Sequence, residues 1–212
     1  MSRSDDVPKG THPDAPAGWP PRELIVSWLG DEDVDFEFRP GEETEIPLGD
    51  AARVAEARRF RDVLGRFATG VTVVTSVSDG EPVGMTCQSF SSVSLDPPLV
   101  LFCPAKTSRA WPRIHRSGHF CVNLLAHDQY ALSDRMASRG KDKFAGLAWH
   151  LSPATGSPLF DGILGYVDCT IEAVHEAGDH DIVVGRVLEL ESTDVPHPLL
   201  FFQGQYARPE ER

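Results

Sequence analysis

A mainly β protein, its strands forming a small barrel flanked by a few helices, is the fold class this sequence predicts. Three observations carry that expectation. Short runs rich in Val, Leu, Thr and Phe recur from Gly70 to the C-terminus, bounded by Gly, Pro and Asp, which is how strands and turns punctuate a chain. Few stretches carry helical spacing, and they do not alternate with the strands as a parallel βαβ sheet requires. The length of 212 residues suits one well-buried core and is short for two full domains.

Taken in order, residues 1–21 contain five prolines and read as a flexible arm, because proline lacks a backbone donor and restricts the residue before it. Residues 22–30, RELIVSWLG, suit a short docked helix or strand. Asp31 to Asp50 hold nine acids and one Arg and read as a solvated acidic segment or a partner-facing extension. The expected division is therefore an acidic, Pro-rich extension over 1–50 and one main domain over 51–212.

Asp50 is placed to cap a helix through AARVAEARRFRDVLGRFA, where Val54, Phe60, Leu64 and Phe67 recur at roughly helical spacing. Val71, Val73 and Val77 then alternate imperfectly with Thr72, Thr75, Ser76 and Ser78, and Asp79-Gly80 supplies a hairpin turn into a second strand. Asp96-Pro97-Pro98 ends that strand run, and LVLFC continues as a buried strand. TSRAWPRIHRSG suits a short helix ending at Gly118, HFCVNLL a strand and HDQYALSDRMAS a helix. Two long strands follow around LGYVDCTIEAVHEA and DIVVGRVLELES, joined at Gly178-Asp179-His180, and PLLFFQGQY closes the domain.

Composition excludes several function classes. The formal net charge is −12, which argues against a continuous basic face for nucleic acid or anionic lipid. Residues 1–50 hold 13 acids and 4 bases, so the remaining 19 acids and 16 bases leave the rest of the chain near balance. No apolar run approaches a bilayer span and the N-terminus lacks a signal-peptide core, so a cytoplasmic, non-membrane protein is expected. Cys87, Cys103, Cys121 and Cys169 are widely spaced without C-x-x-C and suit reduced, partly buried thiols. His115 and His119 have the spacing of a metal-binding helix face, but Ser117-Gly118 falls between them, and no metal site is expected. Neither a dinucleotide-binding glycine fingerprint, a P-loop nor a nucleophile elbow is present.

The order of blocks is more specific than any one of them. FRDVLGRFATGVTVVT, GMTCQSFSSVSLDPPLVLFC, KTSRAWPRI, FCVNLL, DKFAG, GDHDIVVGRV and PLLFFQGQY follow one another as they do in the flavin reductase components of two-component flavin-dependent monooxygenases. The chain resembles that family over about residues 58–206. The resemblance implies an FMN-binding split β-barrel, a homodimer, reduction of FMN or FAD by NADH or NADPH, and delivery of reduced flavin to a separate monooxygenase.

It also implies site residues. Thr69, Gly70, Val71, Thr72 and Val73, with Cys87, Gln88, Ser89 and Phe90, would lie beside the isoalloxazine and ribityl chain, and Ser92, Val93 and Ser94 nearby. A flavin presents carbonyls, ring nitrogens and hydroxyls, which small donors and backbone amides recognise; otherwise these hydroxyls decorate the outward face of a sheet. Lys106, Thr107 and Ser108 would contact phosphate at a helix start. His180, between Asp179 and Asp181, would be the catalytic residue near the nicotinamide, positioning the pyridine nucleotide or helping to protonate reduced flavin, with its protonated form favoured by those carboxylates where they are close in space; otherwise it only stabilises a turn. Two other functions suit the same residues: a flavoprotein that keeps its flavin and reduces another substrate, and a non-catalytic flavin-binding module.

Overall fold

The computed structural model describes residues 51–138, 140 and 142–209. The expected arm, the stretch at 22–30, the acidic segment and the Asp50 cap lie outside the described residues. Helix α1 spans Ala51–Leu64 and is followed by strands β1 (Thr69–Gly70), β2 (Thr72–Ser78), β3 (Glu81–Cys87), β4 (Ser91–Leu95) and β5 (Pro98–Phe102). Helix α2 (Trp111–Ser117), β6 (His119–Leu124) and α3 (Tyr130–Ala137) come next, then β7 (Trp149–Leu151), β8 (Pro158–Phe160), β9 (Gly165–Ala177), β10 (His180–Ser192), β11 (Leu200–Phe202) and β12 (Gln205–Ala207). The expected mainly β class holds.

Seven strands form one antiparallel sheet in the order β3-β2-β6-β9-β10-β5-β4. Its two edge strands, β3 and β4, are consecutive in the chain and joined only by residues 88–90. The four backbone steps from Cys87 to Ser91 reach about 14 Å at full extension, whereas the outer strands of a flat seven-stranded sheet stand about 29 Å apart. The sheet must therefore curl until its edges approach, giving a barrel left open along the β3/β4 seam. Smaller sheets, β1-β11-β12 and β7-β8, complete the described strands.

The imperfect alternation of β2 has a physical cause. Adjacent residues Val73 and Val74 belong to two different core clusters, one with Leu125, Met136 and Phe201, the other with Phe102, Phe120 and Val183. A strand buried on both faces cannot show an apolar face and a polar one. Its hydroxyls are buried too and find acceptors: Thr72 Oγ1 donates to Cys87 O (2.8 Å), Thr75 Oγ1 to Pro158 O (2.6 Å) and Ser76 Oγ to His119 O (2.9 Å). They stitch strands together rather than decorate an outer surface.

Other expectations are refined. The strand run after Asp79-Gly80 breaks at 88–90 into β3 and β4, and PLLFFQGQY forms the β11/β12 hairpin, with Gln203 and Gly204 at positive φ. His180 is the first residue of β10 rather than part of the turn. The short helix begins only at Trp111, so Lys106, Thr107 and Ser108 precede it rather than opening it, and it ends as expected on Gly118 at φ 75°. Helix α1 departs most: Phe60, Leu64 and Phe67 are exposed, by 65%, 53% and 75%, so their spacing does not mark a face packed on the barrel core. All four cysteines are free, and Cys87, Cys121 and Cys169 are buried. No helix among the described residues is long and apolar enough to cross a membrane.

Candidate functional site

Backbone bonds converge where β1 meets β2. Val71 N donates to Leu199 O (3.0 Å), Leu199 N to Leu125 O (2.9 Å) and Leu125 N to Val71 O (3.1 Å), while Leu164 N donates to Leu124 O (2.9 Å). Four chain segments are thus tied side by side, and their apolar residues form one wall. Over it opens a cleft of about 310 Å³ lined by Gly70, Val71, Thr72, Phe90, Leu124, Leu125, Leu164, Pro198 and Leu199.

Four of the residues expected at the site from sequence are brought together here: Gly70, Val71, Thr72 and Phe90. Strand pairing does this, since the β2/β3 register sets Thr72 opposite Cys87 and the chain then runs on through Gln88 and Ser89 to Phe90. Thr69 and Gln88 each hold a buried side-chain atom, Oγ1 and Nε2, with no hydrogen-bond partner. Such atoms cost free energy unless something bonds them. An added Cβ on Gly70 would meet no protein atom within 4 Å.

The side chains of other expected residues have different surroundings. Val73 is core. The Cys87 thiol is buried and its pKa pushed up by loss of hydration, so it is a neutral packing group. Ser89 Oγ accepts from Cys103 N (2.8 Å) and donates to Cys103 O (3.2 Å), clamping the β3/β4 loop to the end of β5. Ser92, Val93 and Ser94 lie on the open edge strand β4, across a bulge, and do not line the cleft. The sequence reading missed Leu124, Leu125, Leu164, Pro198 and Leu199. Two of the quoted blocks, FCVNLL and PLLFFQGQY, contain four of them, but isolated apolar residues carry no chemical signal.

The phosphate and nicotinamide candidates form a second group. Lys106 N donates to Asp179 O (2.9 Å), Asp181 N donates to Pro104 O (3.0 Å), and Ala105 pairs with His180. The β9/β10 turn is thereby laid against the loop after β5, which Ser89 ties to the cleft loop through Cys103. Lys106 Nζ lies 3.7 Å from Glu176, both solvent-accessible. Thr107 is exposed, and Ser108 is buried with its hydroxyl accepting from Trp111 N (3.2 Å). His180 Nδ1 lies 2.8 Å from Asp179 Oδ1. An ionised carboxylate only accepts, so Nδ1 donates and Nε2 is left outside this bond; the bond holds the Asp179 carboxyl below the usual carboxylate range. His115 stacks on Trp111 at 5.0 Å while His119 faces Ser76 and Ser157, so the two point into different surroundings.

Comparison with known proteins decides the family. The flavin reductase like domain matches residues 64–210. The chain belongs to that family. It is 55% identical over 161 residues to the flavin-dependent monooxygenase reductase subunit HsaB of Rhodococcus jostii, covering 74% of this chain and 82% of that one. Among solved structures, nitrilotriacetate monooxygenase component B from Mycobacterium thermoresistibile is 52% identical with a TM-score of 0.73, over 75% of this chain and 89% of that chain. The NADH:FAD oxidoreductase SgcE6 of Streptomyces globisporus, solved with NAD and FAD fragments, is 37% identical with a TM-score of 0.69, over 75% and 93%. The open barrel is thus the family's fold, as the sequence blocks implied.

Proposed function

We propose that the chain reduces FMN or FAD with NADH and supplies the reduced flavin to a separate monooxygenase component. It is an oxidoreductase of the flavin reductase family, and relatives named as reductase subunits of flavin-dependent monooxygenases carry the two-component reading. NADH is favoured as donor by relatives named FMN reductase (NADH) and NADH:FAD oxidoreductase.

The observation that carries this reading is the cleft. Its apolar walls suit a flat ring system and Gly70 leaves the approach open, while Thr69, next to the lining residue Gly70, and Gln88, two residues before Phe90, each hold a buried donor atom with no protein partner. Thr69 to Thr72 with Gln88 and Phe90 would hold the ring, Lys106 would attract phosphate, and His180 would position the pyridine nucleotide through Nε2. When bound, the flavin accepts a hydride from the nicotinamide; that transfer asks no protein base, only that the two rings be held together. The near-neutral donor set favours a flavin that exchanges.

Homodimerisation is supported by apolar side chains left in solvent at one end of the large sheet, Leu95 on β4 and Leu188 and Leu190 on β10. Residues 1–50 precede the family match and are read as lying outside the reducing machinery. The deciding assay is NADH oxidation with FMN or FAD added, on the full chain and on one beginning at Ala51, with mass by light scattering. Stimulation by free flavin in both, from a dimer, is the expected outcome. Activity insensitive to added flavin would favour a self-contained flavoprotein instead, and loss of activity in the folded shorter chain would place the extension at the site.

A further inference from the structure

We propose that Trp111 is a positioning residue for His180, acting through Asp181; the inference rests on the reading of His180 as the nicotinamide-positioning group. Two carboxylates flank His180 in sequence, and the structure gives them different partners. Asp179 accepts from the imidazole Nδ1 at 2.8 Å. Asp181 instead accepts from the Trp111 indole, Nε1 to Oδ2 at 2.7 Å. Adjacent residues of a strand face opposite sides, so Asp181 at the start of β10 turns toward α2 while the imidazole turns away.

The indole is itself immobilised. Trp111 is 4% exposed, meets Phe102 edge-on at 6.0 Å and stacks on His115 at 5.0 Å with 14° between the rings. A buried ring packed from two directions aims its single N–H along one line, and the acceptor on that line is Asp181. Among the described residues, Asp181 N to Pro104 O and Lys106 N to Asp179 O also tie this turn to the loop after β5, through backbone atoms. The indole bond is a side-chain link from the core to the residue beside His180. It also occupies the second carboxylate, so that Asp179 alone engages the imidazole and Nε2 stays available to the pyridine nucleotide.

Trp111→Phe keeps an aromatic ring and removes the N–H. With NADH varied at saturating FMN, kcat/KM for NADH should fall roughly ten-fold, the scale of one lost positioning contact, while the KM for FMN stays unchanged. Since the smaller ring also loosens the core, Asp181→Ala, which leaves the core packing intact, should reproduce the NADH defect, and Asp181→Asn, which retains an acceptor oxygen, should restore most of it. His180→Ala is run in parallel. If His180→Ala is impaired with NADH while Trp111→Phe and Asp181→Ala are not, the inference is overturned and the assignment of His180 stands. A shift in the KM for FMN equal to that for NADH overturns it in favour of a general structural role, and wild-type NADH kinetics in His180→Ala overturns the assignment of His180 and this inference with it.

Discussion

Gly70 forms the lip of the cleft, and its missing side chain leaves space that no protein atom occupies within 4 Å. Its φ is not positive, so a side chain can be added there without backbone strain. Gly70→Leu should accordingly leave the thermal midpoint within a few degrees of wild type and weaken flavin binding by about ten-fold or more, since the isobutyl group takes ligand volume. Quenching of FMN fluorescence measures the affinity and calorimetry the midpoint; wild-type affinity would move the ring away from this lip. At this scale the sequence was legible in part. The family resemblance pointed to Thr69 to Val73 and Cys87 to Phe90, yet residue type alone does not separate an unpaired group from a spent one. Thr69 Oγ1 lacks a partner while Thr72 Oγ1 and Ser89 Oγ are already bonded to backbone, a difference set by strand pairing between distant segments.

The β9/β10 hairpin dominates the elements, running from Gly165–Ala177 to His180–Ser192 with bulges at Val184/Gly185 and Val187/Glu189. Bulges sharpen the twist that a curling sheet needs. At Gly185 the strand also yields to a core ring: an added Cβ would sit 2.4 Å from Phe120 Cζ and 3.2 Å from Cys169 Cβ. Phe120 is fully buried and packs edge-on against Phe102 at 4.9 Å, so it has no free direction in which to retreat. Gly185→Ala should cost about 1 to 3 kcal/mol by overpacking, read as a lower urea midpoint with an unchanged slope; no loss would mean the strand can shift at the bulge. Long strands and their tight turn were readable from sequence because β-rich runs and Gly178-Asp179 are local signals. The exposure of Phe60, Leu64 and Phe67 on and just after α1 was not, because helical spacing reports that a face is apolar and says nothing of what covers it.

At the scale of the whole molecule, curling the sheet encloses cysteines from different strands. Cys121 on β6 and Cys169 on β9 are fully buried, and Cys87 closes β3 nearly so. Burial pushes all three thiols up, Cys169 from an ordinary value near 9 to about 12, because a thiolate there would lose its hydration and gain no cation. The consequence for stability has a definite sign. Below pH 9 folded and unfolded chains both carry neutral thiols, and the contribution is fully present. Above pH 9 the unfolded chain loses these protons while the folded chain retains them, so stability falls as pH rises toward 12. At about 1.4 kcal/mol per unit of separation, Cys169 alone accounts for roughly 4 kcal/mol by pH 12, against a typical total of about 5–15 kcal/mol. Urea midpoints measured from pH 7 to 11 should therefore hold steady to about pH 9 and then drop. Cys169→Ala should start lower, from the lost packing, and drop less steeply. An equally steep fall in that variant would assign the alkaline loss to other groups and show that the Cys169 thiol ionises in the folded barrel.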